Sequence, residues 1–185
     1  MSHLQEWTHS YREREGGEPW PDGPWNSEPD KRQWVDDATG LDCLMHRNGS
    51  GAWCGYVGVP ETHPLFAKEY DHADVNVHGG LTYSAFCQDT ADESVGVCHV
   101  PLPGRPHKVW WLGFDCAHHW ALSPGMVRFH EKFERDHPEF VGMRLREIYR
   151  DVSYVEAEVT SLAAQLASML DSPPEQPQVA VNSGE

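Results

Sequence analysis

Apolar positions recur at spacings of four and three through Ile148, Val152, Val155, Val159, Leu162, Leu166 and Met169, drawing a single stripe. The pattern predicts a C-terminal helix. Ser153, followed three residues later by Glu156, reads as a capping box and starts the regular helix at Ser153. From there to Leu170 it runs about 27 Å at the usual rise per residue. Such a stripe packs on a sheet. The alternative is a self-associating coiled-coil seam that would carry a homodimer, and the run is barely long enough for one.

Upstream, the pattern changes to short apolar runs bounded by turn residues. Residues 41–47 and 52–59 flank Asn48-Gly49-Ser50-Gly51, whose Asn and Gly supply the positive φ angles of a tight connection, so a hairpin is expected. Further strands are expected over 75–83 and 109–114, with a shorter one over 95–100. Residues 60–70 read as a loop, and 123–147 as one or two short helices interrupted near Pro138. Together these elements predict an α+β fold: a mainly antiparallel sheet with the long C-terminal helix packed on one face. The ends differ in character. Residues 1–33 hold Pro19, Pro21, Pro24 and Pro29 among acids and show no sustained period, which reads as a loose Pro-rich acidic arm wrapped over the domain. Trp7, Trp20, Trp25 and Trp34 argue against full disorder there, because indoles seek an apolar surface. Residues 34–170 form the single domain, and 171–185 read as a disordered tail.

Charge narrows the partners. Fourteen basic residues stand against 29 acidic ones, a formal net charge of −15, and such a field repels the nucleic-acid backbone. No apolar run approaches the ~20 residues of a spanning helix, and residues 1–7 lack the basic and apolar regions of a secretory leader. No membrane association is expected, and the cytoplasm of a bacterial host cell is the expected location. Cys43, Cys54, Cys87, Cys98 and Cys116 make an odd number without any C-x-x-C spacing, which disfavours a disulfide framework and a four-cysteine zinc knot.

Two segments concentrate side chains that can carry chemistry. His78 precedes Gly79 and Gly80, which leave backbone amides open to close approach by a ligand. Asp115, Cys116, His118 and His119 follow the apolar run 109–114. His78, Asp115 and His118 would supply three protein ligands to a divalent metal, zinc in the first instance, and leave a fourth position for water. Cys116, Cys98 and His99 stand in reserve as ligands. The bland reading has Asp115 capping a turn and His118 bonding backbone. A thiolate nucleophile ranks below the metal route, because free cysteines are most often core thiols. Cys98 and His99, adjacent on an expected strand, would point to opposite faces. Trp53, Tyr83 and Trp111 are the expected ring contacts for a small-molecule ligand, and strand alternation sends Trp110 and Trp111 opposite ways.

The runs Trp53-Cys54-Gly55-Tyr56-Val57-Gly58-Val59-Pro60, His78-Gly79-Gly80-Leu81-Thr82-Tyr83, Cys98-His99-Val100-Pro101 and Trp110-Trp111-Leu112-Gly113-Phe114-Asp115-Cys116-Ala117-His118 resemble a family of uncharacterised proteins encoded by bacteriophages, notably those of actinobacteria, and by some bacteria. The resemblance spans roughly residues 41–165. It implies a phage or bacterial origin and brings no activity or residue role with it. The expected function is a metal-assisted hydrolase acting on a small phosphorylated or nucleotide-like substrate. The alternative is a non-enzymatic phage binding protein that sequesters a small host signal or docks on a host protein.

Overall fold

The computed structural model describes residues 1–8, 20–87, 93–94, 96–106, 108–141 and 147–170. Its regular elements are β1 (Ser2–Trp7), β2 (Lys31–Val35), β3 (Asp42–Arg47), β4 (Trp53–Val59), β5 (Tyr83–Phe86), β6 (Trp110–Asp115), β7 (Ala121–Leu122), α1 (Pro124–Asp136), β8 (Ile148–Tyr149) and α2 (Val152–Leu170), with short 3-10 turns between some of them. The architecture is the expected α+β arrangement. Six strands form one antiparallel sheet in the order β1-β2-β3-β4-β6-β5, and β7 pairs with β8 in a separate parallel ladder.

The 41–59 hairpin is held by its turn chemistry. Asn48 Oδ1 accepts hydrogen bonds from the backbone N–H groups of Ser50 and Ala52 and from the Ser50 hydroxyl, while Gly51 takes a φ of 79°. The register then sets the faces. Cys43, Met45, Trp53, Val57, Trp110, Leu112 and Phe114 line one side of the sheet, where Val155, Val159, Leu162, Ala163 and Leu166 of α2 pack on them. The helix stripe is thus engaged within the chain. Gly55 permits this contact, because a Cβ there would stand 2.5 Å from Val159 Cγ2. Leu44, Cys54, Tyr56, Val109 and Trp111 line the opposite side with Val97. Trp110 and Trp111 face opposite ways as alternation requires, and both are buried.

Leu162, fully buried between helix and sheet, tests this packing. Leu162→Ala is expected to lower unfolding free energy by about 2–5 kcal/mol in urea titration. A loss well under 1 kcal/mol would mean that the helix does not close this core.

Several local expectations give way. Ser2–Trp7 is an ordered edge strand paired with β2, with a register shift between Ser2 and Gln5, rather than a loose arm. Trp20 and Trp25 are buried, as their size demands. Residues 75–82 form no strand, and β5 begins at Tyr83. Gly79 and Gly80 both take positive φ, which breaks any ladder at the point where the apolar alternation looked most regular. The described part of 95–100 is likewise irregular, anchored by side chains instead of strand pairing. Lys31 Nζ donates to the carbonyls of Glu93 and Cys98, and the Gln33 amide exchanges hydrogen bonds with the backbone of Val100. The cap of α2 is Asp151, whose carboxylate accepts from the Tyr154 N–H, so Ser153 sits inside the helix. The expected tail, 171–185, lies outside the described residues. Among the described residues no helix is long and apolar enough to cross a membrane.

His46 lies in β3, stacked on Tyr56 at 5.3 Å, with its Nδ1 2.8 Å from the Arg47 carbonyl. Burial pushes its pKa down to about 4. The unfolded chain therefore takes up a proton near pH 6.5 that the fold refuses, and stability falls as pH drops from 6.5 towards 4. The loss attributable to this group is about 3 kcal/mol by pH 4. Denaturation of wild type and His46→Phe across pH 4–7 should show that difference in slope. Parallel curves would show that His46 is not the buried acid-sensitive group.

Candidate functional site

The segment after β4 meets the C-terminal half of α2 at His63–Leu166 and Asn76–Gln165 and turns sharply at residues 77–80, closed by a hydrogen bond from Gly80 N–H to the Val77 carbonyl. The turn sets His78 against the helix. Its backbone N–H donates to Glu158 Oε2 at 2.8 Å, and its Nδ1 lies 2.9 Å from the Tyr154 hydroxyl. Burial, then the neighbouring Glu158 carboxylate, raises the Tyr154 pKa, so this phenol stays protonated near neutral pH.

β6 delivers the second half. At its end the Asp115 carboxylate accepts from the Ala117 N–H at 2.9 Å through Oδ1 and from the Thr82 hydroxyl at 2.8 Å through Oδ2. Asp115 is thereby the cap of the turn that swings the chain towards His118. The His118 ring stacks on Trp120 at 4.7 Å and lies 5.3 Å from the His78 ring, centroid to centroid. Gly79 makes room for it: a Cβ at that position would fall 1.8 Å from His118 Nε2.

The Nε2 atoms of both His78 and His118 are shielded from solvent and have no hydrogen-bond partner in the protein. Burial lowers the His78 pKa, with the His118 and Arg150 charges adding to it against Glu158 and Asp115, so this imidazole is neutral at pH 7. Arg150 lies with its guanidinium carbon 4.4 Å over the Tyr154 ring, and its Nε is buried without a partner. Two imidazole nitrogens with unused lone pairs or protons, beside a cation and the turn at Gly79 and Gly80, form an arrangement suited to a small anion.

The expected three-ligand set does not assemble. His78 and His118 come together, but Asp115 spends its oxygens on the turn, and the three groups do not bring ligand atoms within 4.8 Å of one another. Cys116 is a buried thiol whose pKa burial pushes up, and Cys43 and Cys54 are free and buried as well. The expected ring contacts are elsewhere. Trp53 is buried and donates to Glu28, Trp111 is buried on the far side of the sheet, and Tyr83 packs edge-on against Tyr56. Arg150, Tyr154 and Glu158 were missed in the sequence, although Tyr154 and Glu158, four apart beside the apolar stripe, share one side of the helix and Arg150 stands just before its cap.

A second cluster gathers Cys87, Cys98 and His99, whose ligand atoms lie within 4.8 Å of one another and could hold a metal. Cys87 and Cys98 are joined as a disulfide. The parity of the cysteines disfavoured a disulfide framework, yet one bond needs only two close positions, here with Cα atoms 4.5 Å apart. Nor do Cys98 and His99 point apart, because the segment is not a strand.

No protein-family model, curated protein or solved structure matches the chain.

Proposed function

We propose that the chain is a hydrolase of a small phosphorylated or nucleotide-like substrate, with His78 and His118 as its reacting pair. One observation carries this reading: two solvent-shielded Nε2 atoms without protein partners, on rings 5.3 Å apart. In the reaction, the neutral His78 imidazole takes a proton from water as its oxygen bonds to phosphorus. The bond from phosphorus to the leaving oxygen breaks, and His118 as general acid delivers a proton to that oxygen. Arg150 and the turn at Gly79 and Gly80 favour the anionic group. Tyr154 and Glu158 hold His78 in place. A divalent metal such as zinc would arrive with the substrate and polarise its phosphate oxygens, because the two Nε2 atoms are taken up by proton transfer and Asp115 caps the turn.

A panel of phosphomonoesters, phosphodiesters and nucleotides, assayed with chelator and with added zinc or manganese, tests the reading. Turnover of one class that is lost in His78→Gln supports it. Absence of turnover across the panel under every metal condition would overturn it. A binding role without turnover is favoured by one feature, Trp120, which is 43% exposed and stacks on His118 as a ready platform for a ring. Nucleotide binding by calorimetry without hydrolysis, weakened in Trp120→Ala, is the result that this second reading expects.

A further inference from the structure

The Cys87–Cys98–His99 cluster takes no part in the chemistry at His78 and His118, and it has an unusual setting for a structural crosslink. Sequence places the two cysteines 11 residues apart, and Cys98 is held to β2 through Lys31, whose ammonium donates to the Cys98 carbonyl at 2.8 Å. On the other side, the Trp111 indole N–H donates to Cys87 Sγ at 3.4 Å, and Cys87 Sγ lies 3.9 Å from His99 Nδ1. The Trp111 N–H dipole on Cys87 Sγ, with the Lys31 ammonium held at the Cys98 backbone, favours thiolate over thiol once the bond is reduced. Tetrahedral zinc with bonds of about 2.3 Å to sulfur and about 2.0 Å to nitrogen sets sulfur and nitrogen about 3.6 Å apart. The Cys87–His99 separation is already close to that.

We propose that reduction converts this disulfide into a zinc site, with Cys87, Cys98 and His99 as ligands and a fourth position open to water. The two forms exclude each other, because the same sulfurs serve either the disulfide or the metal. Uptake by the reduced form is balanced by protons: two thiols and one zinc ion give a bis-thiolate complex and release two protons. Return to the disulfide requires an oxidant of the peroxide class. The two thiolates give up two electrons to form the sulfur–sulfur bond, hydrogen peroxide takes those electrons with two protons to become two waters, and the zinc ion leaves. Segments 31–35 and 97–100 meet here, so the ion would clamp the loop that covers the second face of the sheet in place of the covalent link.

The test uses the full chain in two redox states and needs no mutation at its first step. Protein is reduced with a phosphine, which takes oxygen from water as the disulfide gains two hydrogens, or left oxidised. Each form is then freed of metal and titrated with cobalt(II) and zinc. The reduced protein should bind one ion per chain and show a thiolate-to-cobalt charge-transfer band, which the oxidised protein should lack. Peroxide should abolish the band and release one ion for every two thiols lost. Cys98→Ser should abolish the band, and His99→Ala should weaken binding at least tenfold. His78→Gln should leave the band unchanged, which keeps this site distinct from the proposed hydrolytic one. A reduced wild type with both thiols titratable but no charge-transfer band would overturn the proposal. So would a band that survives in Cys98→Ser or in the oxidised form.

Discussion

His118→Gln should lower turnover by about 10²–10⁴-fold, the usual contribution of one acid–base group, with the melting temperature little changed. The ring is half-buried at the margin of the sheet and donates nothing to the core, so the loss should fall on rate and not on folding. His78→Gln should match it in size and also change the pH profile. Burial and neighbouring positive charge hold the His78 pKa below its ordinary value of 6.5, so activity carried by its neutral form should persist to pH values below 6.5 and fall on further acidification. That acid limb should vanish in the variant. Gly79→Ala supplies an independent check, because its Cβ would occupy the space of His118 Nε2 at a backbone φ of 69°. Activity within threefold of wild type in all three variants would remove the pair from the chemistry.

Arg47→Met is the second large effect, expected to destabilise the fold by about 3–5 kcal/mol. Arg47 is fully buried, and its guanidinium faces the carboxylates of Glu28 and Asp30, the Tyr149 hydroxyl and the Gly51 carbonyl. Glu28 extends the knot: it accepts from Tyr149, from the Trp53 indole and from the Val152 N–H at the start of α2. The arginine also lies 4.2 Å over the Trp53 ring. Methionine fills much of the volume but leaves two buried carboxylates without the guanidinium that compensates them. Urea titration of Arg47→Met, Glu28→Gln and the double variant should show strongly non-additive losses. Additive losses, each below 1 kcal/mol, would dissolve the network into separate weak contacts.

What could be read in the sequence was what is local. The Asn48 turn, the alternation along 53–59 and 110–114, and the three–four stripe of the helix each depend on near neighbours, and each is present in the structure. His78 and His118 were legible as a pair because each stands where an apolar run gives way to glycine or to a turn. What escaped depends on distance. The edge strand Ser2–Trp7 is mostly exposed, so no burial pattern marks it. Arg47 and Glu28 stand 19 residues apart, and nothing in that spacing foretells their pairing under the sheet. Asp115 looked like a ligand because its bond to Thr82 spans 33 residues and cannot be foreseen from spacing.

The order of elements along the chain has a consequence for synthesis. Every strand of the main sheet precedes α2, so each emerges from the ribosome before the helix that covers it. Until residues 152–166 follow, Cys43, Met45, Leu112 and Phe114 have no cover, and His78 has neither Tyr154 nor Glu158 to hold it. A nascent chain arrested short of that helix would be sticky and inert at once.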